Sequence, residues 1–294
     1  MNDKIKNIAK KIVHSPIEPV FFFLHSVKNN IQHFFFSTKW KLTKPYNPTK
    51  EELEQVRKNV TFIYKSFERQ KLAKKLYRSI QQYYPGTRVI IADDSKKPLC
   101  IKDEFATVIN LPFNSGLSKG LNEALKLADT PFTVRLDDDH RISPYTNIYN
   151  HICFLADNSN VDLVSFPAYN ATAPISPQKL NSSYFSKDMS KAPKPLIIPH
   201  GTFLDKNHVV LGKTPNAFVA RTDKLRMIGY DDNIRMIDHN EFFFRAAGNI
   251  VSAMSLNSYV LHYNNPFSKN YRKYRNDYQA DLAYIKKKHA IKNK

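Results

Sequence analysis

The chain has 294 residues, 42% of them hydrophobic and 13% aromatic, enough to bury a sizeable core in one large domain or two small ones. Its 45 Lys and Arg against 26 Asp and Glu give a formal net charge of +19. Two cysteines, Cys100 and Cys153, exclude a disulfide framework and show no metal-ligand spacing, which suits a reducing compartment.

Residues 1–59 are basic, aromatic and proline-bearing and read as an N-terminal extension. Their apolar clusters, "PVFFFLH" and "HFFF", fall far short of the ~20 residues of a spanning helix, and no small-residue cleavage site follows. The expectation is a chain neither secreted nor threaded through a bilayer. Residues 1–60 carry 11 Lys/Arg against 5 Asp/Glu and residues 264–294 carry 9 against 2, so the ends hold 13 of the 19 net charges. With Phe and Tyr interleaved, they suit an anionic membrane surface. Nucleic acid would attract the same charges, and solvated helical extensions would also carry them.

Thr49 is placed to cap a short helix at "KEELEQ". From Val60 the pattern becomes strand, "VTFIYK", then amphipathic helix, with Leu72, Leu76, Ile80 and Tyr84 at four-residue spacing before a Pro-Gly stop. "RVIIADD" and "TVINLP" are predicted strands. "SGLSKGLNEALKLAD" is a helix with Leu117, Leu121, Ala124 and Ala128 on one face, and "FTVRLDDD" a fourth strand. "PYTNIYNHICFLADN" is helical and "VDLVSFPA" a fifth strand. Residues 169–200, rich in Ser, Pro, Asn and Lys, read as a surface excursion or lid. "NAFVARTDKLRMIGYD", "IDHNEFFFRAAG" and "IVSAMSL…YVLHY" then read as strand, helix, helix and closing strands. Strands alternating with helices predict an α/β fold, a mostly parallel sheet with helices on both faces.

Two acidic clusters share one topological position. Asp93 and Asp94 end the second strand and Asp137, Asp138 and Asp139 the fourth, and ligands of open parallel sheets bind outside the carboxyl ends of the strands. Adjacent carboxylates repel one another unless a cation or a set of donors compensates them. A divalent Mg²⁺ or Mn²⁺ carrying an anionic substrate is the economical compensator, and a solvated loop or helix cap before "SPYTN" is the plainer alternative. With seven glycines there is no G-x-G-x-x-G and no P-loop, which disfavours dinucleotide oxidoreductases and P-loop ATPases. Basic side chains such as Arg69 or Lys119 would help the metal with a diphosphate.

The runs "TFIYKSFERQKLAKKLYRSIQQYYPGTRVIIADDS", "LPFNSGLSKGLNEAL", "TVRLDDDHR" and "NAFVARTDKLRMIGYDDNIRMIDHNEFFF" resemble, in order and spacing, the GT-A-fold glycosyltransferases of family 2, and among these the β-1,4-N-acetylgalactosaminyltransferases. The resemblance covers residues 60–263 and neither basic end, and divides the chain into an extension (1–59), a GT-A domain (60–263) and a basic tail (264–294). It implies that Asp137-Asp138-Asp139 is a D-x-D element holding Mn²⁺ or Mg²⁺ against a UDP-sugar, with Asp137 and Asp139 as ligands and His262, at a later strand end, completing the shell. His140 is a second histidine candidate. Thr61, Phe67 and Arg69, with Asp93 and Asp94, would surround the uridine, and Asn122 would lie near the donor. Leu121 departs from the pattern, standing where the relatives carry Arg.

Inverting transfer needs one base to take the acceptor's hydroxyl proton. The relatives' H-x-E-F-F pattern maps it to Glu241, with His239 beside it. Asp238 has no counterpart in those relatives and is the alternative base, and an ordinary amphipathic helix with Glu241 solvated is the plainer account. The implied activity is metal-dependent transfer of GalNAc, GlcNAc or Gal from a UDP-sugar to a glycan or lipid-linked acceptor in surface polysaccharide synthesis. The enzyme would be cytoplasmic, held peripherally at the inner face of the membrane. A sugar nucleotidyltransferase is disfavoured because "YKSFERQ" lacks a glycine-rich signature. A nucleic-acid binder is disfavoured because the acidic clusters would repel phosphates.

Overall fold

The computed structural model describes residue 20 and residues 45–170, 192–263, 271, 273, 274 and 278–289. Helix α1 (Lys50–Asn59) opens with a reciprocal cap: Thr49 Oγ1 accepts the Glu52 amide at 3.2 Å and Glu52 Oε2 accepts the Thr49 amide at 2.8 Å. Strand β1 (Val60–Ser66), helix α2 (Gln70–Tyr83), strands β2 (Arg88–Asp93) and β3 (Ala106–Asn110), helix α3 (Leu117–Lys126) and strand β4 (Phe132–Arg135) follow in the predicted alternation.

Then come β5 (His140–Arg141), α4 (Ile148–Asp157), β6 (Leu163–Ser165), β7 (Ala168–Asn170), β8 (Phe203–Asp205), β9 (His208–Val210), β10 (Phe218–Arg221), α5 (Thr222–Ile228), α6 (Asp238–Ala246), β11 (Ser252–Ser255), β12 (Val260–His262) and α7 (Tyr278–Lys288). Of the excursion expected over 169–200, residues 171–191 lie outside the described residues. The β8–β9 hairpin lies just beyond it, with Asp205 accepting the Asn207 amide at the turn.

Among the described residues the main sheet has nine strands in the order β3-β2-β1-β4-β10-β6-β11-β9-β8. The first four are parallel, β10 runs antiparallel between β4 and β6, β11 pairs parallel with β6, and β9 and β8 close the edge antiparallel. Both faces are covered. Phe62 and Tyr64 of β1 enter one core layer with residues of α1, α2 and α4, and Ile63 enters the other with residues of α3, α5 and α6. Val56 of α1 is fully buried, so the folded body begins before residue 60, and α7 brings part of the 264–294 segment onto it.

Two topological facts position the site. The chain leaves β1 for β2 on one side, while β4 lies on the other, so a crevice opens at their carboxyl ends. A second sheet, of three strands among the described residues in the order β5-β12-β7, places His262 opposite His140.

Candidate active site

A cleft of about 620 Å³ lies over the carboxyl ends of β1 and β4. Its floor is Asp137, Asp138 and Asp139. One wall carries Lys65, Phe67 and Arg69 from the end of β1, with Asn114, Gly116 and Leu117 beside them. A second carries Arg235, Met236, Ile237, Asp238, His239 and Asn240 at the start of α6. Lys213, Asn216, His262, Tyr271 and Tyr274 complete it.

Each aspartate of the triplet has a different counter-charge. Asp137 Oδ1 lies 2.9 Å from Arg135 Nη2, and Arg135 is the largest fully buried side chain among the described residues. Burial alone would raise Asp137, but the Arg135 charge holds it below the ordinary range. Asp138 is gripped by the fork of Arg69, through Nε at 3.2 Å and through Nη2. Burial and its two acidic neighbours push Asp138 up to about 7 against that opposing charge. Asp139 Oδ2 accepts Arg69 Nη1 at 2.9 Å, while Oδ1 faces His262 Nε2 at 3.6 Å. Despite burial, His262 and Arg69 hold Asp139 well below the carboxylate range.

Asp139, His140 and His262 bring ligand atoms within 4.8 Å of one another, a group of the kind that holds a metal. His140 is the poor member: its Nδ1 accepts the Asp137 amide at 3.0 Å, so Nε2 carries the proton and presents no lone pair. Asp139 and His262 fit a single ion, with Asp137, the most exposed of the triplet, able to join them. Carboxylate oxygen plus imidazole suits Mn²⁺ better than Mg²⁺.

Of the residues expected from sequence, Phe67, Arg69, Asp137, Asp138, Asp139, Asp238, His239 and His262 meet in the cleft. The others do not line it. Thr61 sits near the opposite end of β1, where Thr130 Oγ1 donates to its hydroxyl at 2.8 Å. Asp93 turns inward to accept Ser95 Oγ at 2.7 Å and the Leu99 amide at 2.8 Å. Asp94, fully buried, pairs with Lys65 Nζ at 2.6 Å and accepts the Gly116 amide at 3.0 Å. Asp94 therefore lies beneath the cleft and fixes two residues that line it. Lys119 is on α3, away from the lining. Asn122 spends its amide on Tyr230, accepting its N–H at 2.9 Å and donating to its carbonyl at 2.7 Å.

Glu241 is the largest departure. It is 1% exposed and accepts Arg245 Nε and Lys288 Nζ, both at 2.7 Å, and His289 Nε2 at 3.2 Å, behind the wall rather than in it. Asp238, one turn earlier, is the α6 carboxylate that lines the cleft; its Oδ2 lies 3.8 Å from the Arg135 Nη2 that also holds Asp137. His239 donates Nε2–H to the Thr214 carbonyl at 2.6 Å, and burial, aided by Lys213, lowers its pKa to about 3, so it is a neutral wall residue.

Sequence reading missed Lys65, Arg135, Gly116, Tyr271 and Tyr274. Arg135 had a signal, since an arginine inside an apolar strand needs buried partners. Tyr271 stacks on Arg69, 4.0 Å from guanidinium to ring centre, and Tyr274 packs edge-on to Phe67 at 5.3 Å. Nothing in their local sequence places them here.

A parallel half-sheet with an acidic strand-end cleft at its switch point defines a GT-A nucleotide-sugar fold. The family model "Glycosyl transferase family 2" matches residues 60–207, and the chain belongs to that family. It is 31% identical over 212 residues to Beta-1,4 N-acetylgalactosaminyltransferase 2 of Mus musculus, covering 71% of this chain and 39% of that one. It is 28% identical over 194 residues to Beta-1,4 N-acetylgalactosaminyltransferase 1 of Homo sapiens, covering 65% and 36%. The chain thus spans under two-fifths of the length of these curated relatives. Among solved structures it is similar to S. aureus TarS 1–349 (TM-score 0.50, 18% identity, 70% of this chain and 60% of that one). It is also similar to the mannosyltransferase PcManGT from Pyrobaculum calidifontis, solved in complex with GDP-Man and Mn²⁺ (TM-score 0.52, 14% identity, 95% and 76%).

Proposed function

We propose that the protein is a metal-dependent, inverting glycosyltransferase that moves GalNAc, GlcNAc or Gal from a UDP-sugar to a glycan or lipid-linked acceptor. The observation that carries this reading is the convergence of Asp137, Asp139, His262 and Asp238 on one cleft at the switch point of a family 2 fold. Asp139 and His262, with Asp137, would hold Mn²⁺ or Mg²⁺. When bound, that ion neutralises the diphosphate and so eases departure of UDP.

The remaining work falls to side chains of this chain. Phe67 and Tyr274 offer an aromatic wall to the nucleobase, and Lys65 lies 4.6 Å over the Phe67 ring. Arg69 shares its charge between Asp138 and Asp139 and keeps two of the three carboxylates paired. Asp238 takes the proton of the attacking hydroxyl as the acceptor oxygen bonds to the anomeric carbon and the bond to UDP breaks on the opposite face. Arg135, between Asp137 and Asp238, sets the spacing of the metal end and the base end. The basic ends, largely outside the described residues, would hold the enzyme against an anionic membrane face where lipid-linked acceptors lie. Among the described residues no helix is long and apolar enough to cross a membrane.

The test is UDP release from a panel of UDP-sugars, with and without EDTA, for wild type and Asp139→Ala. Release with one of the three sugars, abolished by both treatments, is the expected result. Release that survives both overturns the metal role, and no release with any UDP-sugar overturns the donor.

A further inference from the structure

The wall opposite Arg69 is a loop, residues 231–237, that runs directly into Asp238. We propose that Asp281, in the basic tail segment that the family match does not reach, is a positioning residue for the transfer reaction: it sets this loop, and with it Asp238, against the metal end of the cleft. The inference rests on the reading of the cleft as a glycosyl-transfer site.

Asp281 lies on the first turn of α7 and is 3% exposed. Its carboxylate collects three consecutive backbone amides: Arg235 N–H at 3.2 and 3.1 Å, shared between the two oxygens, and Met236 and Ile237 N–H at 2.7 and 3.3 Å on Oδ2. Arg235, Met236 and Ile237 all line the cleft. Three successive amides aimed at one anion fix the path of the backbone, since charge-assisted bonds of this kind are short and directional. No side chain caps α6 at Ile237, so the entry to the helix that carries Asp238 is held from outside.

The other side of the loop is pinned independently. The Arg235 carbonyl accepts the Leu117 amide at 2.9 Å, and a Cβ at Gly116 would lie 3.1 Å from Arg235 Cα. The loop is therefore clamped between the Gly116 turn, itself tied to Asp94 under the cleft, and Asp281. Further along α7, Tyr284 Oη donates to Asp231 Oδ2 at 2.9 Å, and Lys288 Nζ bonds both Asp231 at 2.6 Å and Glu241 at 2.7 Å. Glu241 thereby acquires a reason to be buried: it anchors the helix whose Asp281 shapes the wall. A misplacement of about 1 Å at a reacting group can cost roughly 10²-fold in rate, which is the scale on which such a clamp acts.

The experiment uses the full chain and compares wild type, Asp281→Asn, Asp281→Glu and Ile285→Ala. Ile285 is buried on α7, so its truncation loosens helix docking without removing the amide acceptor. The expected result for Asp281→Asn is a kcat lowered about 10- to 100-fold, with KM for the UDP-sugar within about threefold and faster hydrogen exchange at the Met236 and Ile237 amides. Asp281→Glu, which keeps the charge, recovers part of kcat. Ile285→Ala lowers the melting temperature with kcat within about threefold of wild type. The positioning role is overturned if Asp281→Asn keeps wild-type kcat, or if Ile285→Ala loses as much kcat as Asp281→Asn, which would reduce Asp281 to a docking contact. A wild type inactive with every UDP-sugar overturns the proposed reaction itself and is thereby distinguished from either result.

Discussion

Replacing Glu241 and Asp238 separately decides which α6 carboxylate takes the proton. In Glu241→Gln the side chain keeps its shape but loses the charge that Arg245, Lys288 and His289 share. A hydrogen bond to a charged group contributes about 1.5–3 kcal/mol. Arg245 and Lys288 are 24% and 30% exposed and recover part of their hydration, so the whole substitution is expected to cost about 2–3 kcal/mol. For a domain of this size that lowers the melting temperature by roughly 4–10 °C. Because Glu241 does not face the cleft, kcat should stay within about fivefold of wild type at a temperature where both are folded. Asp238→Asn removes the proposed base and should lower kcat by about 10²- to 10⁴-fold at a temperature where both are folded, with some loss of melting temperature because the buried Arg135 then keeps Asp137 alone as its close carboxylate. Steady-state UDP release and thermal unfolding on the same preparations give both numbers. A Glu241→Gln enzyme that melts like wild type but has lost a thousandfold in kcat, beside an active Asp238→Asn, would refute the assignment.

Gly116→Ala should be destabilising by about 1–3 kcal/mol, because φ is +105° there and the new Cβ meets Arg235 Cα at 3.1 Å; chemical denaturation of the two proteins measures it. His262→Ala should raise the Mn²⁺ concentration needed for half-maximal UDP release by about 10-fold or more while leaving the fold intact, and an unchanged requirement would remove His262 from the metal shell. His151 is buried against Phe166, donates Nδ1–H to the Asn147 carbonyl at 2.7 Å, and is lowered to about 3 first by burial and then by the nearby His208. Its folded value is below the unfolded 6.5, so the unfolded chain binds the extra proton and stability is lost as pH falls from about 6.5 towards 3. The loss approaches about 1.4 kcal/mol per pH unit below 6, and His151→Phe should flatten that slope in denaturation measured at pH 7, 6 and 5.

The parallel half of the fold was legible because its signals are local. "VTFIYK", "RVIIAD" and "FTVR" are short apolar strands, Leu76 and Ile80 mark the buried face of α2, and carboxylates at strand ends have a fixed topological meaning. The aspartate triplet follows from that frame, whereas Phe67 and Arg69 are placed by the family resemblance. The misplacements share one cause: strand alternation and helix rotation decide where a side chain points, and tertiary partners settle what it does. Thr61 lies at the opposite end of β1 from Phe67, which follows the strand. Asp94 directly follows the right strand but turns beneath the cleft, because the buried ammonium of Lys65 lies there. Asn122 is on the expected helix, yet the backbone at Tyr230, 108 residues away, claims its amide.

The choice between Asp238 and Glu241 shows the limit most clearly. Three residues apart on a helix, they lie within about 60° of one another, so periodicity assigns both to neighbouring faces. What separates them is the cation each one meets. Arg135, the last residue of β4, draws Asp238 toward the triplet, and Lys288, from the last turn of α7, draws Glu241 away. The same logic sorts the triplet. Asp138 is spent on the Arg69 fork and Asp137 shares Arg135, whereas one oxygen of Asp139 faces His262 across a gap that an ion can fill. Carboxylates that look equivalent in the sequence become distinct because each meets a different cation: Arg69 reaches Asp138 from beyond β1, Arg135 reaches Asp137 from β4, and Lys288 reaches Glu241 from α7. In a protein this basic, those cations decide which carboxylates are left for the metal and proton-transfer roles proposed for the cleft.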